Sequence, residues 1–406
     1  MRTLFSGGTL YTGHTEAPAP GDILVEDGRI TAVGSGLDAD EVIDCTGRWI
    51  SPGFFDAHVH VAFDSPSMTS NLESPFSLQF YRAAANLKRT LDIGVTSVRD
   101  AAGADLGIKT AVDTGLIPGP RMQISISLLS QTGGHGDSHT ACGVDVPLMV
   151  PHPGRPRGVV DGVDEVRRMV RTLIREGADV IKVATTGGVL SPRDDPRHAH
   201  FRDAEIAVMV EEAAAAGLAV MAHAQGTEGV KAAIRNGVRS IEHGIFLDDE
   251  AIEMMLDRGT WLVPTLHAPR SLLAAIDAGV PYPPAVVDKA HMVFEAHRDS
   301  VRRAHEAGVA IAMGTDCGVG PHGTNLDELA FMTECGMSDL DALHATTGSA
   351  AALLGVADDR GLIAPGQRAD LVVLDGTPGE VTDLTPRVRG VYQDGRLVSD
   401  GPQPAA

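Results

Sequence analysis

The sequence is poor in cysteine, in long apolar runs and in basic charge, and each shortage removes a class of protein. Cys45, Cys142, Cys317 and Cys335 are its only cysteines, and none stands in a Cys-x-x-Cys pair. That spacing argues against a thiolate zinc site and against a disulfide framework. No stretch approaches the ~20 apolar residues that a membrane helix needs. The opening Met-Arg-Thr-Leu-Phe-Ser-Gly-Gly lacks the apolar core of a signal peptide. A soluble cytoplasmic protein with no membrane partner is the expectation. Lys and Arg number 33 against 54 Asp and Glu, for a net charge of −21. So acidic a chain is a poor match for a phosphate backbone, so no nucleic-acid partner is expected, and the charge serves solubility. No Gly-x-Gly-x-x-Gly follows a first strand, which weighs against a dinucleotide fold.

What is present is a repeating unit of helix, glycine and short apolar strand. "DEVRRMVRTLIREGADVIKVA" shows it first, and "DAEIAVMVEEAAAAGLAVMAHA", "EGVKAAIRNGVRSIEHG", "DEAIEMMLDRGTWLVPTL" and "SVRRAHEAGVAIAMGTD" repeat it. Gly177, Gly217, Gly237, Gly259 and Gly308 fall where a helix end requires positive φ. The strands are apolar on both faces, as a covered parallel sheet requires. Earlier strands are expected at Phe54–His60, Thr96–Arg99 and Met122–Leu128. Eight strands across about 300 residues favour a (β/α)8 TIM barrel over a doubly wound sheet. Both ends of the chain read as short strands, with hairpin turns at Asp27-Gly28 and Asp394-Gly395. They suggest one small β domain from residues 1–52 and 357–406, around a barrel at 53–356.

In a parallel barrel, chemistry gathers at the C-terminal ends of the strands. The polar residues that close the expected strands are His58 and His60 in "GFFDAHVH", Lys182 in "DVIKVA", His223 in "AVMAHA", His243 in "RSIEHG" and Asp316 in "AIAMGTD". His58 and His60 are two apart on one strand, so both point the same way, and two imidazoles make half a zinc site. Alone, His-x-His is a weak signal. Six such residues at the strand ends of one barrel are a strong one. Burial of Lys182 lowers its pKa, and a neutral amine can take up carbon dioxide to form a carbamate able to bridge two metals. The plainer alternative pairs Lys182 with Asp179 or Asp100. Asp316 reads as a ligand and proton shuttle, or as a helix cap.

These pieces together resemble the amidohydrolase superfamily: "PGFFDAHVH", the Lys of "IKV", His223, His243, "GTD" and the flanking "GLIAPGQRADLVVLD". The resemblance covers nearly the whole chain. It implies two divalent metal ions, zinc being the usual occupant. His58, His60, Lys182 and Asp316 would hold one, and carboxylated Lys182, His223 and His243 the other. It also implies a β-sandwich built from both termini. Within the superfamily, "GGHGD", "TTGGVLSPRDDPRH" and "PHGTNLDEL" resemble the metal-dependent carboxypeptidases and Xaa-Pro dipeptidases, an imidazolonepropionase-like branch. Such enzymes cleave dipeptides or N-acyl amino acids, through attack of a metal-bridging hydroxide, and commonly assemble as homo-oligomers. By the same resemblance His135 polarises the scissile carbonyl. The backbone around Val189 receives the substrate α-carboxylate, with Gly187 and Gly188 permitting close approach. His267 and His322 either line the mouth or hydrogen-bond loops, and the loops 146–158 and 281–284 read as lids. Arg155, Arg157, Arg193 and Arg197 lie in long loops and read as solvated charges, or one of them as a contact for a carboxylate.

Two positions depart from relatives. Gln225 stands where dipeptidases carry a Tyr for the terminal carboxylate, which opens the way to bulkier or non-peptide acyl groups. Gly226 stands where deaminases carry a proton-delivering Glu, which argues against a deaminase. A cyclic-amide hydrolase or a lactonase on the same barrel stays open, because metals do not distinguish acyl leaving groups.

Overall fold

The computed structural model describes residues 2–63, 73–140, 142–147, 149–191 and 193–402. The chain opens with β1 (Arg2–Leu10), β2 (Ala19–Glu26), β3 (Arg29–Gly34), β4 (Glu41–Asp44) and β5 (Arg48–Pro52). Eight short strands follow: β6 (Phe54–Val59), β7 (Val95–Asp100), β8 (Arg121–Ile124), β9 (Leu128–Leu129), β10 (Val180–Ala184), β11 (Ala219–Ala224), β12 (Ser240–His243) and β13 (Trp261–Val263). It closes with β14 (Leu371–Asp375), β15 (Val388–Gln393) and β16 (Arg396–Ser399).

The two ends share one sheet, ordered β16-β15-β14-β5-β1-β2-β3 with β4 also on β1. Its two hairpins turn as their sequences require. Asp27 and Gly28 have φ of 50° and 80°, and Asp394 and Gly395 have 49° and 71°, the double positive φ of a type I′ turn. Phe5, Ile23, Ile30, Ile50, Leu371 and Tyr392 form its own apolar core.

The middle strands are parallel, in the orders β6-β7-β8 and β13-β12-β11-β10-β9. Every residue of β6, β7, β10 and β12 is buried, because helices cover the outer face and side chains fill the inner one. The helices at 162–175, 203–215, 227–235, 249–258 and 284–307 match the repeat, and all five glycines expected after them have φ between 63° and 92°.

Two expected strands differ. The third is not continuous over Met122–Leu128. Ile126 adopts a φ of 68°, which breaks it into β8 and β9, so that one half pairs with β7 and the other with β10. The eighth, near residues 310–317, makes single bridges at Ile311 and Cys317. It still joins the two parallel sheets: Leu262 N donates to Ala310 O at 2.9 Å, and His60 N to Cys317 O at 2.8 Å.

The terminal sheet is bolted to the parallel region by charge. Arg121 on β8 donates to Asp370 at 3.0 Å and to Asp394 at 2.8 Å, while Asp370 also accepts the backbone amide of Asp394 at 2.9 Å. The Asp370 side chain is 3% exposed, so removing the guanidinium strands a buried carboxylate. Arg121→Ala is expected to cost about 2 kcal/mol or more. Arg302→Ala, which breaks an exposed helical pair with Glu306, is expected to leave stability nearly unchanged, because solvent screens that pair. Denaturant melts of the two variants check the contrast.

Candidate active site

His58 and His60 project together from the end of β6. Asp316 follows the eighth segment, where its backbone amide is tied to His58 O at 2.7 Å. Asp316 Oδ1 lies 3.1 Å from His60 Nε2 and 3.6 Å from His58 Nε2, and the three offer one clustered donor set. Lys182 Nζ, from β10, is 3.5 Å from His58 Nε2. The His243 ring centroid, from β12, lies 5.2 Å from that of His58 and 4.6 Å from that of His223, at the end of β11. All six strand-end residues therefore line one cavity.

Each imidazole has one nitrogen engaged away from its neighbours. His58 Nδ1 donates to Glu242 Oε2 at 2.7 Å, His60 Nδ1 to Ala102 O at 2.8 Å, and His223 Nε2 to Gly187 O at 3.1 Å. His243 Nδ1 shares a hydrogen bond with Thr265 Oγ1 at 2.7 Å. On the opposite side, His58 Nε2 meets Lys182 and His60 Nε2 meets Asp316, and second partners of the kind on the far nitrogens are what fix the tautomer of metal-binding histidines.

Burial pushes His58, His223 and His243 far below the usual imidazole range, so they are neutral and able to ligate. His60 is the exception. Burial pulls it down, but the hydrogen bond and charge of Asp316 outweigh that and raise it. Asp316 is lowered, because the nearby His58 and His60 outweigh its burial. Burial brings Lys182 down to about 8, against partial support from Glu242 and Asp316. Neither carboxylate weighed as its plainer partner is on it. Asp179 binds Lys109 at 2.7 Å, and Asp100 accepts the backbone amides of Val61, Ala102 and Ala104.

Sequence reasoning missed the support beneath these residues. Glu242 is fully buried and accepts from Arg99 at 3.0 Å and from Ser240 at 2.5 Å, besides His58. Asp56 accepts Thr315 Oγ1 at 2.6 Å, Asn325 Nδ2 at 2.8 Å and two backbone amides, and so joins β6 to the eighth segment. A signal was available. Charged residues inside fully buried strands must find partners, and "TSVRD" holds two of them, while "FFDAH" and "SIEHG" hold one carboxylate each.

The cavity measures about 200 Å³ and is mainly apolar. Val189 and Gln225 line it, as does His135, whose ring stacks on His223 at 4.2 Å and 16°. The two glycines are each crowded by the protein itself. A Cβ on Gly188 would sit 2.2 Å from the His135 ring, and one on Gly187 would sit 2.2 Å from Asp195 O. They admit the protein's own side chain and backbone. His322 is not among the lining residues, since its ring nitrogens meet Thr90 Oγ1 and His60 O at 3.3 and 3.2 Å. His267 likewise bonds Thr324 at 2.8 Å. Arg155 is no solvated charge. It is 3% exposed and bonded to Gly103 O, Gln79 and Val150 O, and it fastens the loop at 146–158. That loop contributes Pro147, Met149 and Pro151 to the cavity wall, whereas 281–284 contributes nothing. Its residue 148 lies outside the described residues.

Known proteins share this architecture. Residues 49–399 match the Amidohydrolase family. An ochratoxinase from Aspergillus niger is 34% identical over 97% of this chain and 86% of its own length. A solved Xaa-Pro dipeptidase with methionine bound in its active site is 33% identical, with a TM-score of 0.89 over 98% of this chain and 99% of its own. A prolidase solved with N-methylphosphonate-L-proline is 36% identical, with a TM-score of 0.91 over 98% of this chain and 99% of its own. With the match spanning nearly the whole length and the strand-end residues gathered in one cavity, the chain belongs to the amidohydrolase family and is an enzyme that hydrolyses carbon–nitrogen bonds.

Proposed function

We propose that this enzyme is a binuclear metal-dependent hydrolase that releases the C-terminal amino acid from a dipeptide or an N-acyl amino acid. The observation that carries the reading is the convergence of His58, His60, Lys182, His223, His243 and Asp316 on one cavity, with the unused nitrogen of each ring already engaged elsewhere. The residues fit a metal pair on chemical grounds. Among the described residues, buried Asp316 Oδ1 faces only the ring nitrogens of His60 and His58, at 3.1 and 3.6 Å, a donor set that a shared cation would complete, and neutral imidazoles suit zinc. Lys182, brought down to about 8, offers enough neutral amine near that pH to take up carbon dioxide. His58, His60, Asp316 and the carboxylated Lys182 would hold one ion, and Lys182, His223 and His243 the other. Divalent ions held there supply Lewis acidity and make water nucleophilic near neutral pH.

The chain's own groups do the rest. Asp316 takes the proton of the attacking water and returns it to the departing nitrogen, which leaves poorly without it. His135 is the second group beside the reacting carbonyl, fixed by its stacking on His223. Val189 and Gln225 line the side of the cavity where the released amino acid sits, and the apolar remainder shields the acyl group from solvent. In this reading the two parallel sheets and the segment at 310–317 form one (β/α)8 barrel over residues 53–356. The shared terminal sheet forms the β-sandwich of 1–52 and 357–406. The same reading takes the enzyme as a cytoplasmic homo-oligomer acting on small molecules.

A screen of the zinc-loaded enzyme against dipeptides and N-acyl amino acids, following amino-acid release, is expected to find substrates. Asp316→Asn is expected to lower turnover by about 10²-fold or more. Two metals per chain with no release from any member of the panel would reject the peptidase reading and turn the search to lactones, esters and cyclic amides. Glu242→Gln keeps the shape but weakens the hold on His58, and is expected to reduce zinc affinity about 10–100-fold, measured by competition with a chelating dye. Zinc binding as tight as in the unaltered enzyme would deny Glu242 that role. Gln225→Tyr is expected to lower KM for small dipeptides relative to bulky N-acyl amino acids, as steady-state kinetics on both would show.

A further inference from the structure

Arg155 is a buried cation whose hydrogen bonds all end on neutral oxygen. It stands in the loop after β9, is 3% exposed and lines the cavity. Nη1 donates to Gly103 O at 2.5 Å, and Nη2 donates to Gln79 Oε1 at 2.6 Å and to Val150 O at 2.8 Å. A guanidinium has five N–H groups. Two are therefore left over, one of them on Nε, which is buried with no hydrogen-bond partner. Among the described residues no carboxylate forms an ion pair with Arg155, and Asp100 and Asp105 bear on it only from farther off. Both are committed elsewhere, Asp100 to the amides of Val61, Ala102 and Ala104 and Asp105 to that of Ile108. A charge kept from water is costly without a counterion. The other cations on the cavity wall are provided for. Lys182 stands in the strand-end cluster, and Arg157 is paired with Asp137 and Asp145.

The anchors of Arg155 set its place in the cavity. Gly103 follows β7 and adjoins Ala102, whose carbonyl holds His60. Gln79 lies on the helix at 78–92, between β6 and β7. Both sit by the β6-β7-β8 sheet, whereas Val189 and Gln225 follow β10 and β11 of the other parallel sheet. A substrate whose amino-acid half lies against Val189 and Gln225, as proposed above, extends its acyl half toward Arg155. Chain neighbours of the anchors, Ala102, Met149 and Pro151, give the cavity wall apolar surface there. A single fixed charge in such a wall is the kind of group that sets which ligand an apolar pocket accepts.

We propose that Arg155 is a specificity-determining residue that receives a carboxylate carried by the acyl half of the substrate, which makes the preferred substrates amino acids whose nitrogen is acylated by an acidic group. The proposal rests on the hydrolysis set out above. The arriving carboxylate supplies the counterion that the protein omits, which a neutral acyl group does not do. The three bonds to neutral oxygen hold the guanidinium still without neutralising it. A carboxylate in their place would hold it as firmly, but would compete with the ligand.

That competition is the test. The zinc-loaded enzyme is given N-glutaryl-leucine and N-butyryl-leucine, and the binding of glutarate and of butyrate is measured by calorimetry. The unaltered enzyme is expected to favour the glutaryl substrate in kcat/KM, and glutarate over butyrate in affinity, each by about 10-fold or more. Gln79→Glu puts a carboxylate where the amide oxygen meets Nη2. It is expected to erase both preferences while Tm is kept or raised, and Arg155→Gln is expected to erase them as well. Glutamyl-leucine, added to the panel, separates an acidic N-terminal residue from a dicarboxylic acyl chain as the source of the carboxylate. No preference in the unaltered enzyme overturns the proposal. So does a preference that survives both substitutions, or an Arg155→Gln loss that falls equally on glutaryl and butyryl substrates, because the guanidinium then serves the loop or the amino-acid half. If glutarate binds tightly only with Arg155 present and Gln79 unaltered, yet no amide is cleaved, the anion site stands and it is the hydrolytic reading that fails.

Discussion

Everything at the mouth of the parallel strands depends on keeping imidazoles uncharged and correctly turned while they sit beside one another without solvent. Four histidine rings and a lysine in one buried cluster repel if protonated and drift if unsupported. Burial handles the first problem for three of the rings and the lysine, by lowering His58, His223, His243 and Lys182, while the carboxylate of Asp316 offsets any charge on His60. Hydrogen bonds handle the second, and the strongest of them is anionic. Glu242, held between Arg99 and Ser240, fixes the Nδ1 side of His58. Glu242 and Arg99 compensate one another deep in the protein, where either alone would be costly. The pair accordingly reads as a device for aiming a ring, with little net worth as stability.

The backbone carries strain at the same ring of positions. Ala102, Ile126, His243, Thr265 and Asp316, all non-glycine, have φ of 144°, 68°, 74°, 56° and 59°. Each stands at or just past the end of a parallel strand. Left-handed geometry costs an L-residue about 1–2 kcal/mol and survives only where the surroundings over-determine it. Here the sharp turn lets the strand's last residue face inward and the next one leave for the outer helix. The oxygen of Ala102 that holds His60 and the hydroxyl of Thr265 that meets His243 are both placed by these turns.

The site was legible in the sequence to the extent that it followed from strand ends. His58, His60, Lys182, His223, His243 and Asp316 were readable because a parallel strand exposes one polar residue at its close, and the five glycines after the helices were readable because only glycine takes their φ cheaply. What escaped was set by tertiary contact. Nothing local in Ile126 announces a reversal of φ that splits a strand. The use of Gly188 to admit His135 depends on residues far apart in sequence. His322 looked like a lining residue because it follows a strand in a conspicuous motif, yet its ring faces Thr90 and the backbone of His60. Glu242 and Arg99 lay in plain view, but only as charges without an assigned partner.

The pairing of β5 with β14 ties the first strand of the active site to the last part of the polypeptide. Gly53, the residue between β5 and β6, donates its amide to Asp370 O at 2.7 Å, and β5 meets β14 along its whole length. On the ribosome, the N-terminal strands emerge first but keep one edge open until Leu371–Asp375 is synthesised. An unpaired strand edge invites the wrong partner, and a contact between such distant residues forms slowly. The His58–His60 strand can therefore take its final seat only after the end of the chain is made, so a prematurely terminated product would lack a finished catalytic centre even though every ligand residue had already been translated.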